Sequence, residues 1–359
     1  MRAFIPAALF AVGYPAAAQA PSEVPAAVTV EAVAQKILDA YVLPDVAERY
    51  AAALRANLKA GRYASITSPE ALAKQVTDDL QAVAFEGHLK LATGAPAGQM
   101  APASALPPST PIETSVRLSK SVAYIRFGDF ASAPETLAKI QQFLSDNADA
   151  ETLIFDVRTS IGGLIAQTDV IFPFLFAKET VLLHRDTRRL VEERSKGPSP
   201  DGPTLRRIAS PDSVVRREHV ALPSTTEKRL QDAKVYVLTS SRTRSAAEHL
   251  ALAIRRTGRG EVIGETTFGA GHYGAWTGVP GDFSVFIPIG RSFDPDTGKD
   301  WEGVGVAPTI KVPAERALVE ALVRSGVKPA LAERLSRQHG PDPQRMSQAR
   351  PDRPEGSGI

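Results

Sequence analysis

Ser245 stands in the run Thr239-Ser240-Ser241-Arg242-Thr243-Arg244-Ser245-Ala246-Ala247-Glu248. An apolar segment of strand length leads through a polar turn into a helix that the serine opens. In open α/β sheets, chemistry collects at the carboxyl ends of strands. A helix start offers unpaired N–H groups and the positive end of the helix dipole. That place suits a nucleophile, and Ala246-Ala247 leave room for a substrate. It equally suits a serine that only caps the helix. A second run, Asp156-Val157-Arg158-Thr159-Ser160-Ile161-Gly162-Gly163, carries a strand into paired glycines. Two N–H groups turned toward one point would form an oxyanion hole; an ordinary strand–helix turn would read the same. Two further runs, Phe85-Glu86-Gly87-His88-Leu89-Lys90 and Trp301-Glu302-Gly303-Val304-Gly305, each place one titratable side chain in a loop. By spacing alone, such single residues are usually structural.

Composition narrows the chemistry. The chain of 359 residues has no cysteine, which excludes thiolate metal sites, disulfides and a cysteine nucleophile. Histidine chemistry has six candidates: His88, His184, His219, His249, His272 and His339. With 42 basic and 40 acidic residues, the charge balance does not point to nucleic acid as a partner. Residues 1–18 read as a secretory signal peptide, cut before Gln19 or before Pro21. The expected mature protein is exported, periplasmic or extracellular, and not inserted in a membrane.

The elements that must position these residues follow from periodicity. Residues 19–93 read as a helical domain: Val33, Ile37 and Tyr41 recur on one face, then Val46, Tyr50, Leu54 and Leu58, then a third helix opened by Ser68-Pro69. Residues 94–111, rich in Ala, Pro, Gly and Ser, read as a linker. From 112 to 337, apolar strands at Val122–Phe127, Leu153–Val157, Val235–Thr239 and Glu261–Glu265 alternate with helices, which implies a largely parallel sheet. Phe283–Ile289 adds another strand. Residues 184–233 are charged and read as a surface insertion, and 338–359 as a disordered tail.

Together the four runs, in their order, resemble the tail-specific (C-terminal processing) serine peptidases. The resemblance covers about residues 29–315, is strongest over 235–271, and leans toward the branch related to tricorn protease and interphotoreceptor retinoid-binding protein. It implies an α/β fold, with a small N-terminal helical domain and a crotonase/Clp-protease-like α/β domain. It places the nucleophile on Ser245 and the oxyanion donors on Ala246 and the pair Gly162 and Gly163. Ala270 stands where one branch has an activating lysine, so the resemblance implies the other device: His88 as base and Glu302 as its carboxylate, with His272 in reserve. No metal or cofactor is implied, and the substrate would be a peptide or unfolded protein. Three positions depart from the pattern: Ser160 replaces a usual Asn, Glu86 a usual Asp, and Thr309 a usual Asp. Residues 83–122 are too few for the PDZ domain that many such peptidases carry. A carrier of apolar ligands on the same fold is the alternative. A complete Ser245, His88 and Glu302 set argues against it.

Overall fold

In the computed structural model of the chain, residues 24–94, 110–195 and 201–346 are described. The expected leader and nearly all of the expected linker lie outside them.

Three helices come first: α1 (Ala26–Ala40), α2 (Pro44–Lys59) and α3 (Pro69–Val83). Proline at the first helical turn presets the backbone of α2 and α3. Ser68 Oγ caps α3 by accepting from Ala71 N at 3.3 Å. After β1 (Lys90–Thr93) come β2 (Ile112–Arg117), β3 (Val122–Phe127), α4 (Pro134–Asp146), β4 (Thr152–Asp156) and α5 (Ala166–Leu175). A second group follows: β5 (Thr180–Arg188), α6 (Arg189–Ser195), β6 (Leu205–Ile208) and β7 (Val214–Ala221). The chain continues with β8 (Lys234–Thr239), α7 (Ala246–Arg256), β9 (Glu261–Gly264), β10 (His272–Val279), β11 (Phe283–Phe293), β12 (Ile310–Lys311), α8 (Ala317–Arg324) and α9 (Pro329–His339).

One sheet runs β12-β9-β8-β4-β3-β2, parallel except for the antiparallel edge strand β2. Its central strands are apolar throughout because both faces are covered. Ala123, Ile125, Leu153, Phe155, Val235 and Val237 pack with α4, α5 and α7 on one face. The alternate residues Val122, Tyr124, Ile154, Tyr236 and Leu238 pack with α8 and α9 on the other. The fold is thus the expected helical region followed by an α/β domain.

The second sheet has the order β1-β11-β5-β7-β6, with β10 also paired to β11, and its pairs are antiparallel. The apolar residues Val285, Ile287 and Ile289 of β11 share one core with the apolar faces of the first helices. The helical region is therefore not walled off at residue 93.

Residues 184–233 are a difference from expectation. They hold most of β5 together with β6 and β7, so they are sheet and not an excursion. Some of the charges that suggested solvent are inside: Arg217 is 2% exposed and pairs with Glu192 and Asp201, while Asp186, 2% exposed, pairs with Arg216 and Arg291. The start of the expected tail also differs. Up to residue 346 it is ordered structure: Met346 is buried and Arg126 Nη1 donates to the His339 carbonyl at 2.6 Å. Residues 347–359 lie outside the described ones.

Candidate active site

The neighbouring parallel strands β4 and β8 end side by side, with Asp156 opposite Leu238. Their loops are stitched together: Ser240 Oγ donates to the Arg158 carbonyl at 2.6 Å, Thr243 Oγ1 to the Val157 carbonyl at 2.8 Å, and Arg244 N to the Ser160 carbonyl at 3.1 Å. Below them, the fully buried Arg158 forks onto Asp156 at 2.9 and 2.6 Å, and Tyr124 OH donates to the same carboxylate at 2.7 Å. Asp156 and Arg158 fix the strand end and spend their charges on each other.

Ser245 is the residue before α7, with φ 52° and ψ −120°. A positive φ is unusual for a side chain other than glycine and costs about 1–3 kcal/mol. Here it lifts Ser245 out of the helix path and leaves it partly exposed. Glu248 maintains the turn. Its buried carboxylate accepts from Ser245 N at 2.8 Å, Gly269 N at 2.7 Å, Ala270 N at 2.8 Å and Thr267 Oγ1 at 2.5 Å. One side chain thus ties the Ser245 turn to the 267–270 loop, while its own burial raises its pKa. Glu248 is a further site residue beyond those expected from the sequence. The Ser-x-x-Glu spacing of a capping box was the available signal.

The glycine pair lies against this turn. A Cβ added to Gly162 would stand 2.6 Å from Ser245 Cβ, 2.7 Å from the Arg244 carbonyl and 3.0 Å from Ala246 N, at φ +86°. Gly162, Ser245 and the first N–H of α7 therefore converge on one spot. Gly162 N–H donates to Ser160 Oγ at 3.3 Å. The bridge from Phe130 to Gly163 uses the Gly162 carbonyl and Leu164 N–H, and leaves Gly163 N–H outside it. Gly163 is exposed. If this turn serves catalysis, Gly162→Ala should lower kcat about 100-fold or more, because the added Cβ would force the 162–163 turn away from Ser245 and the start of α7. It should also lower stability by at least about 1 kcal/mol through the positive φ. Steady-state kinetics beside urea unfolding would check this; a variant of normal rate would disprove the close approach.

His88 is held from both sides by buried carboxylates that bond its backbone neighbours. His88 N donates to Glu86 Oε1 at 3.2 Å, and Gly87 N to Glu302 Oε1 at 2.6 Å. The His88 ring stacks on Phe286 with centroids 5.6 Å apart. Its Nδ1 is buried, with no hydrogen-bond partner among the described residues. Glu302 is not brought onto the ring. Burial pushes the His88 pKa down to about 4, with Glu86 opposing and the charges of His272, Arg244 and Lys90 reinforcing.

Behind this loop lies a buried ionic cluster. His272 is 1% exposed; its Nδ1 lies 2.5 Å from Glu86 Oε2 and its Nε2 3.5 Å from Asp300 Oδ2. Tyr41 OH donates to Glu86 Oε2 at 2.8 Å. Glu302 Oε2 accepts from Gly271 N at 2.6 Å and His272 N at 3.0 Å. Although burial opposes it, Glu86 and Glu302 hold His272 well above its usual pKa, so it is a cation here. Burial and the Glu86 charge push Glu302 well above the ordinary carboxylate range. Glu86, His272 and Glu302 offer possible ligand atoms within 4.8 Å of one another. Hydrogens already occupy these atoms, which makes the cluster an ion pair with amide donors and not a set of open metal ligands.

The other histidines lie elsewhere. His249, on α7, receives or gives a hydrogen bond through Nε2 to His219 Nδ1 at 2.9 Å, and His219 Nε2 meets Asp169 at 2.8 Å. His184 packs edge-on to Phe293.

Residues 121–312 match the model of peptidase family S41, and residues 21–121 match the N-terminal domain of peptidase S41 in eukaryotic IRBP. A carboxyl-terminal-processing protease of Picosynechococcus sp. is 24% identical over 198 residues, 55% of this chain and 40% of that protein. The chain thus matches less than half of that relative's length. A putative peptidase from Parabacteroides merdae has TM-score 0.56 at 16% identity, covering 88% of this chain and 97% of that one. The photosystem II D1 C-terminal processing protease has TM-score 0.53 at 16% identity, covering 86% and 99%. Both structures are similar in fold.

Proposed function

Because the chain belongs to peptidase family S41, we propose that it is an exported serine endopeptidase acting through an acyl-enzyme on Ser245. The observation that carries this reading is the convergence of Gly162, Ser245 and Ala246 N, with Ser245 raised on a positive φ. Ala246 N–H and the Gly162–Gly163 turn supply the oxyanion donors. Gly163 N–H is the better placed of the two glycine donors, since Gly162 N–H already serves Ser160.

His88 is the general base. Serine is too weakly acidic to attack an amide unaided, so His88 takes its proton during attack and returns it to the leaving amine. Water then resolves the acyl-enzyme by the same route. A pKa near 4 keeps the imidazole neutral at neutral pH, the form a base needs. His272 is the weaker candidate, because both its ring nitrogens face carboxylates and it is buried. Glu302 supports His88 through the Gly87 peptide, and not through a bond to the ring. The substrate is a peptide or unfolded protein. Export rests on the leader-like residues 1–18. Among the described residues no helix is long and apolar enough to cross a membrane.

A fluorophosphonate probe tests the assignment. Wild type should be labelled at Ser245, and His88→Ala should lose labelling and about 10⁴- to 10⁶-fold in kcat. The kcat/KM profile should fall on its acid side near pH 4, because protonation removes the base as pH drops through that value. An unlabelled wild type that binds an apolar ligand tightly would favour a carrier. Loss of cleavage in His272→Gln alone, with His88→Ala active, would exchange the two histidines.

A further inference from the structure

Arg244 immediately precedes the nucleophile, and its backbone is fixed by its N–H bond to the Ser160 carbonyl at 3.1 Å. Its guanidinium carbon lies 3.5 Å from the centroid of the Phe268 ring, a stacked cation–π contact. Phe268 forms a small apolar cluster with Phe85 and Ala270, so the cation rests on an apolar shelf. The side chain is half-buried, and its buried Nε has no hydrogen-bond partner among the described residues. The nearby carboxylate of Glu248 is already committed to four other donors. Of the other arginines near the site, Arg158 has Asp156 and Arg291 has Asp186 and Asp300, while Arg242 donates to the Thr159 carbonyl at 3.4 Å. Arg244 has no carboxylate of its own among the described residues. Its charge nevertheless reaches His88 across the site. Desolvating a cation without an anion is unfavourable, and a planar guanidinium matches a carboxylate in two parallel hydrogen bonds.

We propose that Arg244 is a specificity residue that binds a carboxylate of the peptide substrate beside the scissile bond. This rests on the peptidase reading of the same site. The carboxylate has two possible sources, an Asp or Glu side chain near the cut and a free α-carboxyl end, which share one chemistry. The substrates favoured are then peptides that bring a negative charge close to the bond cleaved.

The test uses the full-length chain with Ser245→Ala, so that bound peptides stay intact. Fluorescence anisotropy measures four labelled peptides of one sequence: internal Glu or Gln, each ending in a free acid or an amide. One of the two carboxylates should tighten binding about 10- to 100-fold, the scale of a charge-assisted pair. The pair of peptides that differs identifies the source. Adding Arg244→Gln should reduce that preference to within about twofold, and Arg244→Lys should keep part of it, since a point charge lacks the planar fork. Equal binding of all four peptides would overturn the proposal, as would a preference that survives Arg244→Gln. Should Arg244→Gln fail to fold, the loss expected in Arg244→Lys decides in its place: full retention of the preference overturns the proposal. In the active protein, the acid-to-amide ratio of kcat/KM should follow the same pattern, with the change mainly in KM. Absence of fluorophosphonate labelling at Ser245 would defeat the peptidase reading, whereas the binding ratios judge Arg244 separately.

Discussion

Ser245→Gly is expected to lower kcat about 10⁶-fold and at the same time to make the protein more stable, by about 1 kcal/mol. The loss follows from removing the proposed nucleophile. The gain follows from the backbone. Ser245 holds φ 52° and ψ −120°, where a Cβ is strained and glycine is not. The turn is held there by bonds that do not involve the serine hydroxyl: Ser245 N to Glu248, Arg244 N to Ser160, and Phe268 N to the Thr243 carbonyl at 2.9 Å. Glycine gives back part of the relief through the greater freedom of its unfolded chain, so the net effect is below the full strain. Ser245→Ala is the control. It loses kcat equally but keeps the Cβ, and so should show none of the stabilisation. Urea unfolding of the three proteins checks this. If Ser245→Gly is less stable than Ser245→Ala, the turn stores no strain. A more stable, inactive variant would mean that part of the fold's stability is spent on presenting the hydroxyl.

How much of this was legible before the structure depends on how local each signal is. The strands β3, β4 and β8 are continuous apolar runs, and the helices α1 to α4 and α7 carry clear 3.6-residue faces; both periods are written in neighbouring residues. The sheet containing β5 to β7 was not legible. Its inward positions include Asp186 and Arg217, charges that look solvent-facing in sequence and are neutralised only by partners distant along the chain. Helix α9 and the turn to Met346 were hidden for a related reason. Polar residues surround them, and their contacts go to Arg126 and Glu113, more than 200 positions away. At the site, Ser245 and the glycine pair were visible as a strand–turn–helix pattern, whereas their meeting is a consequence of β4 lying beside β8. His88 and Glu302 had no local signal beyond resemblance. The pairing of Glu86 with His272, 186 positions apart, had none of any kind.

That pairing supports the second large prediction. His272→Ala should cost about 3–5 kcal/mol of stability, the usual effect of breaking a buried pair from one side. His272 is the cation between Glu86 and Asp300, and its own N–H holds Glu302. Without its charge, Glu86 stays buried beside a second glutamate, with Tyr41 OH and His88 N as its remaining donors. Glu86 N donates to Gln81, so that donor is spent inside the helical region. The pH dependence has a definite sign. The folded pKa of His272 is raised above 6.5, so its contribution is complete below 6.5 and is lost as pH rises through the folded value. The folded pKa of Glu86 is lowered below 4.5, so its contribution is present above 4.5 and is lost as pH falls through the folded value. The pair therefore stabilises the interval between, and His272→Gln should flatten the alkaline loss that wild type shows. A double substitution separates charge from shape. In His272→Gln with Glu86→Gln no charge is left stranded, so the double variant should be more stable than the sum of the two single losses predicts. Urea unfolding of all four proteins gives the coupling. Strict additivity would mean that Glu86 and His272 do not stabilise one another, and it would remove the physical reason for Glu86 to hold His88 N in place. A large coupling would make the loop bearing His88, the proposed base, dependent on a cation from β10, so that kcat in His272→Gln should fall together with stability.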